Sequence, residues 1–121
     1  MKAKKSAVLI ASVLVALIVG PAGIAKLAGV AQVHVGFHQL GLPNWFGYFI
    51  GACELLGAVA LFIRPLSALA ASGIAIIMVG AIYHHVLHTP LVQGIPAALV
   101  LLLSIYIASK QRSFIFKFGS V

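Results

Sequence analysis

The chain has 121 residues, of which 63% are hydrophobic and 7% charged, and its formal net charge is +7. Because an ordinary soluble domain carries about a quarter charged residues, this composition excludes a water-soluble globular domain. At about 20 apolar residues per membrane crossing, the length is used up by four spans, so residues 1–121 are expected to form a single membrane domain.

Four long apolar segments follow one another along the chain. They cover about residues 6–27, 45–63, 66–87 and 91–109. Each is long enough to cross a bilayer with some tilt. Pro21 predicts a bend near the end of the first segment, because proline removes a backbone hydrogen-bond donor. We therefore predict an all-α membrane protein, built as a bundle of four transmembrane helices.

The basic residues predict the orientation of this bundle. Seven of the eight flank one set of span ends: Lys2, Lys4, Lys5, Arg64, Lys110, Arg112 and Lys117. Since positive charge concentrates on the cytoplasmic side of membrane proteins, both termini are expected inside. Lys26 and the connection over about residues 28–43 then lie outside. This connection is semi-apolar, which favours a short interfacial or re-entrant segment over a free loop.

Charge and cysteine content narrow the function classes. The basic residues form no stripe interleaved with exposed aromatic residues, so we expect no nucleic-acid partner. Cys53 is the only cysteine in the sequence, which excludes an intrachain disulfide and a CxxC redox centre.

Glu54 is the only acidic residue in the sequence and lies near the middle of the second segment. A carboxyl group at that depth costs a few kcal/mol or more unless it is neutral, paired or turned into the bundle. Small residues near it, including Gly47, Gly51 and Gly57, would let another helix approach closely. Glu54 is therefore either a carboxyl that locks helices together or a functional pocket residue.

Lys26 has two interpretations as well. It could extend toward the lipid headgroups along its apolar stem, or it could turn inward after Pro21 and pair with Glu54. Because Lys26 is the one permanently charged cation of the outer half, we predict that the two residues share one buried pocket.

The five histidines form two groups in the outer half of the chain. His34 and His38 are four residues apart, and His84 and His88 flank His85 at the same spacing. On a helix, residues four apart share a face. We expect them to line a polar outer vestibule, where His84 or His85 contacts a ligand or relays protons near neutral pH. Metal or haem ligation is the alternative, although no ExxH-type motif accompanies the histidines.

Four short motifs resemble those of the DoxX family, specifically its DoxX-like members. They are Gly23–Leu27 (GIAKL), Phe37–Pro43 (FHQLGLP), Gly51–Gly57 (GACELLG) and Ala81–His84 (AIYH). Their order and spacing are more specific than any one of them, and the resemblance extends over about residues 8–108. It implies a small four-helix protein of the bacterial inner membrane, related to subunits of membrane redox systems, and marks Lys26, Glu54 and His84 as pocket candidates.

The resemblance and the residues leave three functions to compare. The first is a subunit or small component of a membrane redox system that holds a quinone or similar apolar substrate, with Lys26, Glu54 and His84 as candidate catalytic residues. Electrons would come from a partner protein, since the chain has no nucleotide-binding glycine loop and no iron–sulfur cysteines. The second is a non-catalytic assembly or anchoring protein, and the third is a small transporter. The cofactor is left open, with a quinone, haem or a metal as candidates. The lipid bilayer is the expected partner, and a soluble or membrane redox partner protein and a homo-oligomer are further candidates.

Overall fold

The structure is a computed structural model that describes residues 2–113, with side chains from Lys5 onward. The side chains of Lys2 and Lys4 and all of Lys117, three of the predicted inner cations, fall outside this part. Within residues 2–113 the chain is all-helical. The helices are α1 (Lys2–Leu27), α2 (Ala31–Gln39), α3 (Asn44–Ala60), α4 (Ser67–His88) and α5 (Ile95–Gln111), with 3₁₀ turns at Arg64–Leu66 and Leu91–Gly94.

Three helical segments of the described chain are long and apolar enough to cross a membrane. They are Lys5–Leu27, Arg64–His88 and Leu91–Gln111. These segments correspond to the first, third and fourth predicted spans. The first continues through Pro21 as one helix. The chain is accordingly a multi-pass membrane protein.

The second predicted span is shorter in the structure than the sequence suggested. α3 has 17 residues, about 26 Å at the helical rise per residue, against a hydrocarbon core of about 30 Å. After Ala60 the backbone tightens, and the amides of Phe62 and Ile63 donate to carbonyls only three residues earlier. The 3₁₀ turn Arg64–Leu66, which contains Pro65, then leads into α4.

The four long helices pack in a ring. α1 packs most extensively against α3, and α4 against α5, while smaller contacts join α1 to α5 and α3 to α4. The core lies where one face of each helix meets the others, with Val15, Ile74 and Val100 fully buried. The outward faces are apolar, as Leu17, Leu56 and Ile76 show with 66%, 70% and 73% exposure. Such faces suit contact with lipid rather than water.

The connection between the first two long helices folds as a helix of its own. α2 packs mainly on α3 and also touches α1 and α4. Two glycines with φ of 77°, Gly29 and Gly41, make the turns at the ends of α1 and α2. Each turn closes with a pair of Schellman-type bonds, for example Val30 N–H to Ala25 O at 3.2 Å and Gly29 N–H to Lys26 O at 3.1 Å. This geometry lays α2 across one end of the bundle.

Candidate intramembrane polar site

Lys26 and Glu54 form an ion pair between α1 and α3. Lys26 Nζ lies 2.8 Å from Glu54 Oε1, and the two side chains are 15% and 3% exposed. The contact predicted from the shortage of charged residues is therefore confirmed, whereas a role for either residue in chemistry remains a prediction. The pair compensates a carboxylate that would otherwise be buried alone, a situation that costs about 3–5 kcal/mol.

Two glycines bring these side chains into reach. A Cβ atom on Gly51 would lie 2.7 Å from Lys26 Cβ, and one on Gly23 would lie 3.2 Å from Glu54 Cβ. Both distances are shorter than ordinary carbon contacts, so only hydrogen at these positions lets the α1 and α3 backbones approach this closely. The small-residue motifs around Lys26 and Glu54 thus set the length of the ion pair.

Lys26 is the charged partner of Glu54 within the described chain. Its Nζ lies against Oε1, and this buried oxygen accepts no hydrogen bond from any other group of residues 5–113. The position of the carboxylate therefore depends on Lys26.

His34 contacts the backbone of Lys26, one member of the ion pair. Its side chain is buried, and its Nε2 lies 2.9 Å from the carbonyl oxygen of Lys26, which fixes Nε2–H as the donor. The ring packs 4.5 Å from the Tyr48 ring, centroid to centroid, and occupies the space that a Cβ on Gly47 would need. His34 therefore holds the end of α1 and contacts neither the Glu54 carboxylate nor the other histidines.

A cavity of about 540 Å³ extends from the ion pair between the helices. All four long helices and α2 contribute to its wall, and most of the lining is apolar. The polar lining groups are Lys26, Gln32, Glu54, His84, His85 and Gln93. The volume is in the range of sites for drug-sized molecules, which are mostly apolar with a few convergent polar groups.

His84 lies on the α4 side of this cavity and contacts α2. Its Nε2 lies 2.6 Å from Gln39 Oε1, and a Cβ on Gly36 would lie 3.0 Å from the imidazole. The missing side chain at Gly36 thus lets α2 lie directly on the ring. Because Gln39 Oε1 can only accept, Nε2 carries the proton in this contact.

The structure places the five histidines in three surroundings. His84 and His85 line the cavity, His34 packs between α1 and α3, and His38 and His88 are exposed. The shared outer vestibule stays a prediction. His88 still stacks near His84, with ring centroids 5.3 Å apart. Among the described residues, no group of three His, Cys, Asp or Glu side chains is placed to hold a metal ion.

Sequence reasoning did not identify Gln39, the α2 residue that contacts His84. The available signal was weak: Gln32 and Gln39 are the two amides in an otherwise semi-apolar connection. Its partner lies 45 positions away, and no local spacing rule links residues that distant.

Comparison with known proteins identifies one family. The family model described as DoxX-like family matches residues 10–108. No curated protein and no solved structure gives a significant match to the chain.

Proposed function

The chain belongs to the DoxX-like family, and on that basis we propose that it is a component of a membrane redox system that binds a quinone or a similar apolar molecule between its helices. A single observation carries this proposal. The ion pair of Lys26 and Glu54 lines a mostly apolar cavity that His84 also lines.

The chemistry of a quinone suits this arrangement. Its ring and tail are apolar, and its two carbonyl oxygens accept hydrogen bonds and, on reduction, one proton each. Lys26 Nζ would donate to one oxygen, while Glu54 and His84 would exchange protons with the ligand. Two electrons from a partner redox protein and two protons convert the quinone to its quinol, and the reverse transfer oxidises the quinol. The residues of this chain supply binding and proton transfer.

We further propose that α3 also crosses the membrane, as the second of four spans in a single domain. Both termini then lie on the cytoplasmic side of a bacterial inner membrane. The backbone turns at Leu61–Ile63 extend α3 beyond Ala60. Lys5, Arg64 and Lys110 line one cavity at one end of the bundle, whereas Lys26 lies at the other end of α1. This separation of charge supports the proposed orientation.

A second candidate function is non-catalytic assembly or anchoring. The observation that favours it is the tight contact of α1 and α3 at Gly23 and Gly51, because an ion pair at such a crossing would also hold two helices in register. In that case the cavity would hold lipid, and Lys26 and Glu54 would act only on stability.

Ligand analysis separates the two functions. The full chain would be purified in mild detergent, its organic extract analysed by mass spectrometry, and its binding of short-tailed benzoquinones and naphthoquinones measured at equilibrium. The redox proposal expects saturable binding that weakens when Glu54 is changed to Gln in a variant that keeps the wild-type helical content. Absence of quinone from the extract together with no saturable binding would leave the assembly function.

A further inference from the structure

A second cavity, of about 630 Å³, lies at the opposite end of the bundle. Lys5, which lines it, and Lys26 are separated by about 30 Å along α1 at the helical rise per residue. The lining comes from the first turns of α1, the α3–α4 turn and the last turn of α5. This inner cavity therefore shares no residue with the site of Lys26 and Glu54.

Four cations surround the inner cavity. Lys5 comes from α1, Arg64 from the α3–α4 turn, and Lys110 and Arg112 from the end of α5. Segments far apart in the sequence thus bring positive charge to one concave surface. A general excess of cytoplasmic charge accounts for their sign, but it does not require them to converge on a cavity.

The chain has no acidic side chain with which to neutralise these cations. Glu54 is the only Asp or Glu in all 121 residues, and it pairs with Lys26 at the other end of the bundle. Lys110 has an aromatic contact, with Nζ 5.8 Å from the Tyr106 ring centroid, which is a weaker attraction than an ion pair. The cavity therefore attracts an anion from outside the chain's own side chains.

The same cavity also has apolar lining residues. Val8, Leu9 and Phe62 line it, and the exposed faces of Leu9 and Phe62 are those of a lipid-facing surface. The hydroxyl-bearing Ser12 lies deeper and is 2% exposed. A ligand that fits must combine a negative head group with an apolar chain.

From this geometry we propose that the inner cavity is a binding site for an anionic glycerophospholipid. Its phosphate group lies among Lys5, Arg64, Lys110 and Arg112, where Arg64 and Arg112 offer the paired donors that match phosphate oxygens. One acyl chain lies against Val8, Leu9 and Phe62. Basic pockets between transmembrane helices bind anionic head groups in this manner.

The test is native mass spectrometry of the delipidated full chain in detergent. Phosphatidylglycerol and phosphatidylcholine with identical acyl chains would be titrated separately, and inorganic phosphate and glycerol 3-phosphate would be added as soluble competitors. We expect one phosphatidylglycerol to bind at least about tenfold more tightly than phosphatidylcholine, and we expect millimolar soluble phosphate to leave it bound. Each basic residue near an anionic surface contributes about fivefold in affinity.

Two variants locate the site. Arg64→Gln with Lys110→Gln should lower phosphatidylglycerol affinity about 25-fold, whereas the charge-keeping swap Arg64→Lys with Lys110→Arg should stay within about threefold of wild type. Equal binding of the two lipids by the wild-type protein would overturn the proposal without reference to any variant. Displacement by soluble phosphate would overturn the lipid assignment, and unchanged affinity in the Gln variant or an equal loss in the swap would overturn the cation site.

Discussion

Gly23 on α1 and Gly51 on α3 lie so close that a Cβ atom on either would meet the backbone of the other. The Gly23 position would lie 2.8 Å from the Gly51 carbonyl oxygen, and the Gly51 position 3.0 Å from the Gly23 carbonyl oxygen. The ion pair of Lys26 and Glu54 sits one helical turn from this crossing. Backbone contact and charge compensation are therefore properties of the same helix interface.

Changing Gly51 to Ala should destabilise the protein and lengthen the ion pair. The added methyl group meets Lys26 Cβ and backbone, neither of which can turn away, and overpacking of this kind costs about 1–3 kcal/mol. Reversible unfolding in mixed detergent micelles would measure the loss. Gly73→Ala is the matched control, since nothing lies within 4 Å of its Cβ position. Equal stability of the two variants would contradict the close crossing.

Lys26 and Glu54 should show strong energetic coupling. Lys26→Met or Glu54→Gln alone leaves a buried polar partner uncompensated, at a cost of about 3–5 kcal/mol, whereas the double variant removes both charges. The loss of unfolding free energy in the double variant should therefore be smaller than the sum of the losses in the two single variants. Gly73→Ala combined with Lys26→Met provides the additive reference. Additivity within about 0.5 kcal/mol for Lys26 and Glu54 would show that the pair contributes no coupling.

The ion pair was within reach of sequence reasoning, because the chain contains one acid and few candidates to compensate it. A carboxyl group at mid-membrane needs a partner, and Lys26 was the one permanent cation left on its side. The glycines around Glu54 predicted a close helix approach, which Gly51 confirms. Both inferences depend on helical spacing and charge balance, which the sequence displays directly.

The placement of α2 could not be predicted from the sequence. A short interfacial or re-entrant segment was expected from its apolar character, but its direction depends on the left-handed turns at Gly29 and Gly41 and on its contacts with α3. That direction decides that His34 is buried beside Lys26 while His84 meets Gln39. Long-range packing of this kind leaves no periodic signal, so the histidine spacing alone could not indicate which histidines line the cavity.

Variants at His84 and Gln39 should separate proton transfer from packing. Gln39→Leu and His84→Leu both remove the bond between α2 and α4, but only His84→Leu removes the imidazole from the cavity wall. Quinol-dependent turnover in proteoliposomes with the redox partner should therefore fall more for His84→Leu, by about 10²-fold or more if His84 acts as an acid or base. Equal rates for the two variants would show that His84 acts only through its contact with α2 and not in proton transfer.

Reporter fusions should place both termini on the cytoplasmic side. Alkaline phosphatase fused after Val121 should be inactive, and the same reporter inserted after Gly41 should be active, because the proposed second crossing follows that residue. A green fluorescent protein fusion at each site gives the opposite pattern and controls for expression. Phosphatase activity at Val121 would mean an odd number of crossings or an inverted bundle.

Filling the cavity beside Lys26 and Glu54 from α4 should block ligand binding without unfolding the protein. Gly80 lines the cavity, and nothing lies within 4 Å of its Cβ position. Gly80→Leu can therefore place its Cβ atom without a clash and direct a side chain toward the space, and it replaces glycine by a residue that favours a helix by about 0.8–1 kcal/mol. Unfolding stability should hold or rise.

The matched control is Gly73→Leu, two turns earlier on α4. Its Cβ position is equally open, and Gly73 does not line the cavity, so the two variants differ in location but not in chemistry. Short-tailed quinone should bind to Gly80→Leu about tenfold or more weakly, since even one surplus methylene in an apolar site costs about 1–3 kcal/mol. Gly73→Leu should bind as wild type does. If both variants keep wild-type affinity, the quinone binds outside this cavity, and if both lose it equally, the effect comes from α4 as a whole rather than from the space beside Lys26 and Glu54.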